Sequence, residues 1–107
     1  MILTTRGAKS RQPRTTVVTY TRDGDRYVIA ASNSGAPSHP AWYFNIRSTP
    51  TVTVEVRGET FEAVGTITTS DERDRLWRQH AAERPEFRAY PSMTNRVIPM
   101  ISLERTA

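Results

Sequence analysis

Two short stretches of this 107-residue chain hold side chains that could do chemistry together. The first, Thr4-Thr5-Arg6-Gly7-Ala8-Lys9-Ser10-Arg11-Gln12-Pro13-Arg14, gathers four cations in a loop between two strand-like runs. A phosphate or carboxylate tail needs fixed positive charge and donors that approach closely. Arginine offers a forked donor set, lysine a point charge, and Gly7 with Ser10 a backbone whose N–H groups can turn inward. The second stretch, His39-Pro40-Ala41-Trp42-Tyr43-Phe44-Asn45-Ile46-Arg47, puts an aromatic pair and an amide at the head of a short helix. At helical spacing Ala41 and Asn45 share a face, as do Trp42 and Ile46. Trp42 and Ile46 alone read as core, but a buried Asn45 is costly unless its amide is satisfied. Together the stretches describe a pocket for a flat, ring-bearing molecule with an anionic tail.

A third segment, Arg84-Pro85-Glu86-Phe87-Arg88-Ala89-Tyr90, places Phe87 and Tyr90 three residues apart. They either line one side of an opening or pack against the body of the domain. No serine, histidine and acid are spaced as a triad. No glycine pattern matches a phosphate loop or a dinucleotide-binding turn. The carboxylates Asp71, Glu72 and Asp74 fall at a helix start, where they read as capping rather than acid–base residues.

The elements that must position these side chains are short. Ile2–Thr5 reads as a strand, and Thr15–Thr21 and Tyr27–Ser32 as a hairpin around the Asp-Gly turn of residues 22–26. After a loop at residues 33–38, Pro40 opens a helix that ends before Thr49-Pro50. Thr51–Val56 and Thr60–Thr68 form a second hairpin about Arg57-Gly58-Glu59. Thr69-Ser70-Asp71-Glu72 has capping-box spacing and starts a helix to about Ala82 that buries Leu76 and Trp77. Pro85–Tyr90 forms a further turn and Val97–Leu103 a closing strand. Six short strands with inserted helices make a mainly β domain over residues 1–107, a small barrel or rolled sheet.

Composition bounds the rest. Apolar residues make up 36% and charged residues 24%, as in an ordinary globular domain. No apolar run reaches the ~18 residues of a membrane helix, and no signal-peptide pattern is present. The absence of cysteine excludes disulfides, iron–sulfur clusters and thiolate chemistry and agrees with a cytoplasmic protein. With only His39 and His80, no metal site is expected. The net charge of +4 equals the charge of residues 1–14 alone. Such a cluster attracts nucleic acid, a membrane surface or an anionic small molecule.

Nearly the whole chain resembles the deazaflavin-dependent nitroreductases and quinone reductases, which use coenzyme F420, an 8-hydroxy-5-deazaflavin. The likeness is carried by Lys9-Ser10-x-Gln12-Pro13-Arg14, Ala31-Ser32-Asn33-x-Gly35-Ala36-Pro37, His39-Pro40-x-Trp42-Tyr43-x-Asn45, Val52-Thr53-Val54, and Glu72-Arg73 with Trp77. It implies a six-stranded split β-barrel of the FMN-binding-protein type, and hydride transfer to quinones, nitro-compounds or activated alkenes. By the same likeness Lys9, Ser10 and Arg14 hold the phosphate and glutamyl tail. Thr15, Thr16, Val17 and Val18, with Ala30, Ala31, Ser32 and Asn33, run under the ring. Ala41, Trp42, Tyr43 and Asn45 close its other side, and Tyr90 beside Phe87 faces the acceptor as a candidate proton donor. Family members usually carry an amphipathic segment ahead of the first strand, so the chain reads as a shortened form. Ala8 stands where a basic residue is common, Arg11 where glycine is frequent and Asn33 where lysine occurs. Arg84 and Phe87 stand where relatives can place tyrosines.

Other readings stay open beside this one: a non-catalytic F420 carrier on the same fold, or an FMN-dependent split-barrel oxidoreductase. A nucleic-acid-binding barrel would display aromatics on strand faces, and here they concentrate on helices, so no nucleic-acid partner is expected. The expected partner is a small-molecule electron acceptor. Monomer or homodimer, and peripheral membrane contact, are left undecided.

Overall fold

In the computed structural model, which describes residues 1–106, seven strands form one antiparallel sheet. They are β1 (Ile2–Arg6), β2 (Pro13–Val17), β3 (Thr21–Asp23), β4 (Arg26–Ala30), β5 (Thr51–Val56), β6 (Glu59–Ile67) and β7 (Met100–Arg105). Helix α1 (Ala41–Ser48) lies between β4 and β5, and α2 (Ser70–Glu83) between β6 and β7. A 3₁₀ turn at Asn33–Gly35 precedes α1, and a 3₁₀ segment, Pro85–Met93, follows α2.

The strand order β2-β1-β5-β6-β7-β4-β3 puts two consecutive strands, β2 and β3, on opposite edges. Only Val18, Thr19 and Tyr20 join them, a link that can reach ~14 Å. A flat sheet of this width would separate its edges by about 29 Å. The sheet therefore has to roll until its edges approach. The expected strand over Thr15–Thr21 breaks at this link, which makes seven strands of an expected six.

Rolling creates two packed layers. Leu3, Ile29, Val54, Ala63, Ile101 and Leu103 fill the inside of the roll together with Ile46 of α1. Val28, Leu76, Phe87, Ile98 and Met100 form a second cluster under α2 and the 3₁₀ segment. Strands β4 and β7 thus bury both faces, which explains their near-continuous apolar runs. The β5–β6 turn takes Arg57 to φ +52° and Gly58 to φ +80°, the left-handed pair that a two-residue hairpin demands. Among the described residues, no helix is long and apolar enough to cross a membrane.

Two sequence expectations are corrected. The capping box is not formed: Thr69 is the N-cap of α2 but makes no side-chain cap bond. Glu72 instead pairs with Arg26 at 3.4 Å, while Asp23 takes Arg26 at 2.6 Å and Arg75 at 3.0 Å. These hydrogen bonds from Arg75 and Arg26 hold the Asp23 carboxyl well below the usual carboxylate range and tie the β3–β4 turn to α2. The closing strand begins at Met100 rather than Val97: Pro99 has no N–H to give a ladder, and Ile98 packs in the second cluster with its carbonyl taken by Arg73 of α2.

Gly65 sets how closely α1 approaches the sheet. A Cβ there would lie 2.9 Å from Ile46 Cγ2, inside van der Waals contact. Gly65→Ala is expected to overpack this contact and cost about 1–3 kcal/mol, read as a lower urea midpoint at unchanged slope.

Candidate active site

A cavity of about 920 Å³ runs beside the free edge of β2. At its start the β1–β2 loop contributes Gly7, Ala8, Lys9 and Ser10, and β2 contributes Arg14. The loop is closed by Gly7 N–H donating to Gln12 O (2.8 Å) and Arg11 N–H donating to Gly7 O (3.0 Å). Ser10 Oγ accepts from Gln12 N–H at 3.2 Å. Lys9 and Arg14 are exposed, and neither is in an ion pair among the described residues.

Asn45 ties this loop to α1. It is buried, its Nδ2 donates to Thr5 Oγ1 at 3.0 Å, and its Oδ1 accepts from Ala8 N–H at 2.9 Å. The amide that seemed costly to bury has a partner on each of its polar atoms, each some forty positions away in the chain. Asn45 thereby fixes both the loop and the helix that carries Trp42.

β2 supplies the long wall through Arg14, Thr15, Thr16 and Val17, which Val18 of the following link extends. Met1 and Val18 exchange bonds in both directions (3.0 and 3.3 Å), and Gly7 bonds Gln12, which sets the phase of the β1–β2 ladder. In that phase Thr16 and Arg14 face β1, while Thr15 and Val17 turn their N–H and C=O toward the free edge. The cavity therefore meets in-plane backbone donors and acceptors as well as side chains.

The opposite wall is built by Ala41, Trp42 and Asn45 of α1 with Pro40 and Phe44. The floor near β4 is Ala30, Ser32 and Asn33, to which the fold adds Ser34. The far end comes from the 3₁₀ segment as Glu86, Phe87 and Tyr90. Phe87 and Tyr90 meet edge to face at 5.2 Å, and Phe87 also packs in the second core cluster, so the two readings of this segment hold together.

Two residues of the expected set do not line the cavity. Ala31 is fully buried in the core inside the roll. Tyr43 turns away and stacks on His39, 4.4 Å between ring centres. The difference is one of phase: Ala31 follows β4 inward, and Tyr43 is a quarter-turn off the Trp42 face. Thr5, Thr19, Ser34, Phe44 and Glu86 were not singled out in the sequence. Thr5 and Phe44 lie inside the two stretches and Glu86 adjoins Phe87, but Thr19 carried no signal.

His80 supports the aromatic end from beneath. It is fully buried, shares a 2.8 Å hydrogen bond between Nδ1 and Thr21 Oγ1, and meets Phe87 edge to face at 4.6 Å. Its Nε2 has no partner among the described residues.

The fold and cavity define a small β-protein with a cationic loop at the mouth of a cleft walled by aromatic side chains and a free strand edge. The sequence model of the F420H(2)-dependent quinone reductases matches residues 1–105, and the chain belongs to that family. It is 40% identical over 110 residues to an F420H(2)-dependent quinone reductase of Mycobacterium tuberculosis strain H37Rv, covering 98% of this chain and 72% of the relative. A solved F420-H2 dependent reductase, FDR-A, superposes with a TM-score of 0.87 at 31% identity, covering 96% of this chain and 91% of that one. A second solved structure, described as a domain-swapped dimer, matches equally well at 31% identity and TM-score 0.87, with 96% and 78% covered.

Burial, with a smaller contribution from Arg84, pushes His80 from its ordinary 6.5 down to about 4. The unfolded chain takes up this proton first as the pH falls, so the native state is favoured above about pH 6.5 and loses stability from there down to about pH 4. The loss expected over that window is roughly 3 kcal/mol. Urea unfolding from pH 7 to pH 4 should show it in the wild type, and His80→Gln should flatten that part of the profile.

Proposed function

We infer that this chain is an oxidoreductase that binds reduced coenzyme F420 and passes its hydride to a quinone. Nitro-compounds and activated alkenes are acceptors of the same chemical kind. The observation that carries the reading is the cavity beside β2, lined by two unpaired cations and by Trp42, Phe87 and Tyr90. From Arg14 to Val18 the strand advances about 13 Å, room for a fused ring beyond an anchored tail.

The deazaflavin supplies the hydride, and the protein supplies binding, orientation and exclusion of water. Lys9, Ser10 and Arg14 hold the anionic tail through charge-assisted hydrogen bonds. The free backbone groups of Thr15 and Val17 present in-plane partners to a ring laid along the strand, and Thr16 and Val18 complete that wall. Ala30, Ser32 and Asn33 lie beneath, and Ala41 and Trp42 cover the ring, held in place through Asn45. Phe87 forms the apolar acceptor end, where Tyr90 orients the acceptor or donates the proton that follows hydride transfer. Arg14 and Lys9 suit the several negative charges of an F420 tail better than the single phosphate of FMN, so FMN is the lesser possibility. A carrier without turnover is the second reading, and it gives Tyr90 no role.

We read residues 1–107 as one deazaflavin-binding domain and the rolled sheet as the split barrel, with the bent Thr15–Thr21 stretch counted once for both edges. A homodimer is supported by the domain-swapped dimer among the similar structures. A cytoplasmic location accords with the cysteine-free composition, and peripheral membrane contact is not part of the proposal.

Replacing Lys9 and Arg14 together by Ala should weaken F420 binding by at least about 1.5–3 kcal/mol, read by fluorescence titration. Wild-type affinity should also fall with added salt. Protein from a host without F420 should be colourless; stoichiometric yellow FMN in the preparation, or double-variant affinity equal to wild type, overturns the assignment.

Tyr90→Phe should leave melting temperature and F420 affinity alone and slow turnover by ~10²-fold if the phenol is the proton source. A wild-type rate with menadione, a nitroimidazole and an enone alike removes that role and leaves the cofactor reading standing.

A further inference from the structure

Arg96 stands between the 3₁₀ segment and β7, half-buried, with no carboxylate in ion-pair contact among the described residues. Four of its five N–H donors are nevertheless engaged. Nη1 donates to Ala31 O at 3.0 Å and to His39 Nδ1 at 2.8 Å. Nη2 donates to Ser32 O at 2.7 Å, and Nε to Ala36 O at 3.1 Å. These partners bracket the 3₁₀ turn whose Ser32, Asn33 and Ser34 line the cavity.

The turn needs such a brace. Asn33, Ser34 and Gly35 take φ values of +47°, +54° and +81°, three left-handed residues in a row, two of them not glycine. Strain of this kind persists only where the surroundings over-determine it. Inside the turn there are just the bonds from Gly35 N–H to Ser32 O, Ala36 N–H to Asn33 O, and Asn33 Nδ2 to Ser38 O. Arg96 joins the ends of the turn through three carbonyls and reaches the start of α1 through His39.

We propose that Arg96 is a positioning residue for cofactor binding: through the Ala31, Ser32 and Ala36 carbonyls and a neutral His39, it holds the Ser32–Ser34 wall in its binding shape. The proposal rests on the F420 reading for its affinity readout and on the apo fold for the rest.

The imidazole is part of the clamp. Arginine only donates, so His39 Nδ1 must accept, and the ring is neutral with its proton on Nε2. Protonation would set one N–H against another. The groups facing His39 are Arg96 from the segment before β7, and Tyr43, Phe44 and Arg47 from α1. Burial, then the charges of Arg96 and Arg47, lower its pKa below the ordinary histidine value. The clamp is therefore complete at neutral and alkaline pH and is lost as the pH falls through that lowered value.

The test uses the full chain as Arg96→Ala, Arg96→Lys and His39→Gln, with two readouts. Without ligand, amide exchange at Gly35 and Ala36 should speed up about tenfold or more in Arg96→Ala, and by less in Arg96→Lys. With F420, the Kd should rise about tenfold in Arg96→Ala while kcat at saturating F420H2 with menadione stays within about twofold. Gln accepts the same N–H without titrating, so His39→Gln should keep wild-type affinity at about pH 8 and escape part of the acid-side loss the wild type shows toward about pH 5. Unchanged exchange in both Arg96 variants overturns the proposal. So does a loosened turn that binds F420 as tightly as wild type, or an acid-side loss identical in wild type and His39→Gln. If the wild type does not bind F420, the cofactor reading falls, and the exchange measurement alone decides whether Arg96 holds the turn.

Discussion

Three residues, Val18, Thr19 and Tyr20, must carry the chain from one edge of a seven-stranded sheet to the other. Such a short link is incompatible with a flat sheet, and the rest of the architecture follows from the roll it imposes. The inside of the roll becomes the main core. The outer faces of β4 and β7 are drawn under α2, so those strands are buried twice. β2 is left with one paired side and one free side, and the free side is where the cavity lies. A binding cleft beside a strand edge is thus a consequence of the connectivity.

A rolled sheet alone would leave the cleft's walls as independent loops. Two polar braces prevent this, and both work by satisfying backbone groups across long sequence separations. Asn45 takes Ala8 N–H and Thr5 Oγ1, joining the cationic loop to α1. Arg96 takes three carbonyls and His39, joining the strained turn to the segment before β7. In each case a buried or half-buried polar group would be costly without its partners, so the arrangement is held from both sides. Arg96, which does not line the cavity, still decides its shape together with Asn45, which does.

Much of this was legible in the sequence because it is local. Alternation of apolar residues marks β5 and β6, Arg57-Gly58 marks their turn, and Pro40 with Thr49-Pro50 brackets α1. The cationic loop and the Trp42–Asn45 helix could be paired because their residue types complement one ligand shape, and the family resemblance placed them together. What stayed hidden depends on tertiary placement. The break at Val18–Tyr20 has no breaker residue; it is set by which edges those strands join. Tyr43 and Ala31 sit beside cavity residues in sequence, and only the phase of helix and strand turns them away. Glu72 has capping-box spacing, yet Arg26 from a distant hairpin outcompetes the cap. Arg96 is one of fourteen arginines, and nothing in its neighbours announces a clamp.

The distribution of charge explains how the cavity's cations remain available. Several acids of the chain are committed to arginines elsewhere: Asp23 to Arg26 and Arg75, Asp74 to Arg73, Glu59 to Arg105. Asp23–Arg75 stitches a turn to α2 and Glu59–Arg105 one strand to the next, while Asp74–Arg73 lies within α2. Lys9 and Arg14 make no ion pair among the described residues, and residues 1–14 contain no acid. An exposed cation gains little from a surface partner, typically under about 1 kcal/mol, so leaving these two unpaired costs the fold almost nothing. Held close to an anion inside a partly enclosed cleft, the same charges contribute considerably more. In the proposed function the tail-binding energy thus comes from groups whose absence would barely alter stability, while Asn45, bonded to Ala8 N–H and Thr5 Oγ1, holds their loop against α1.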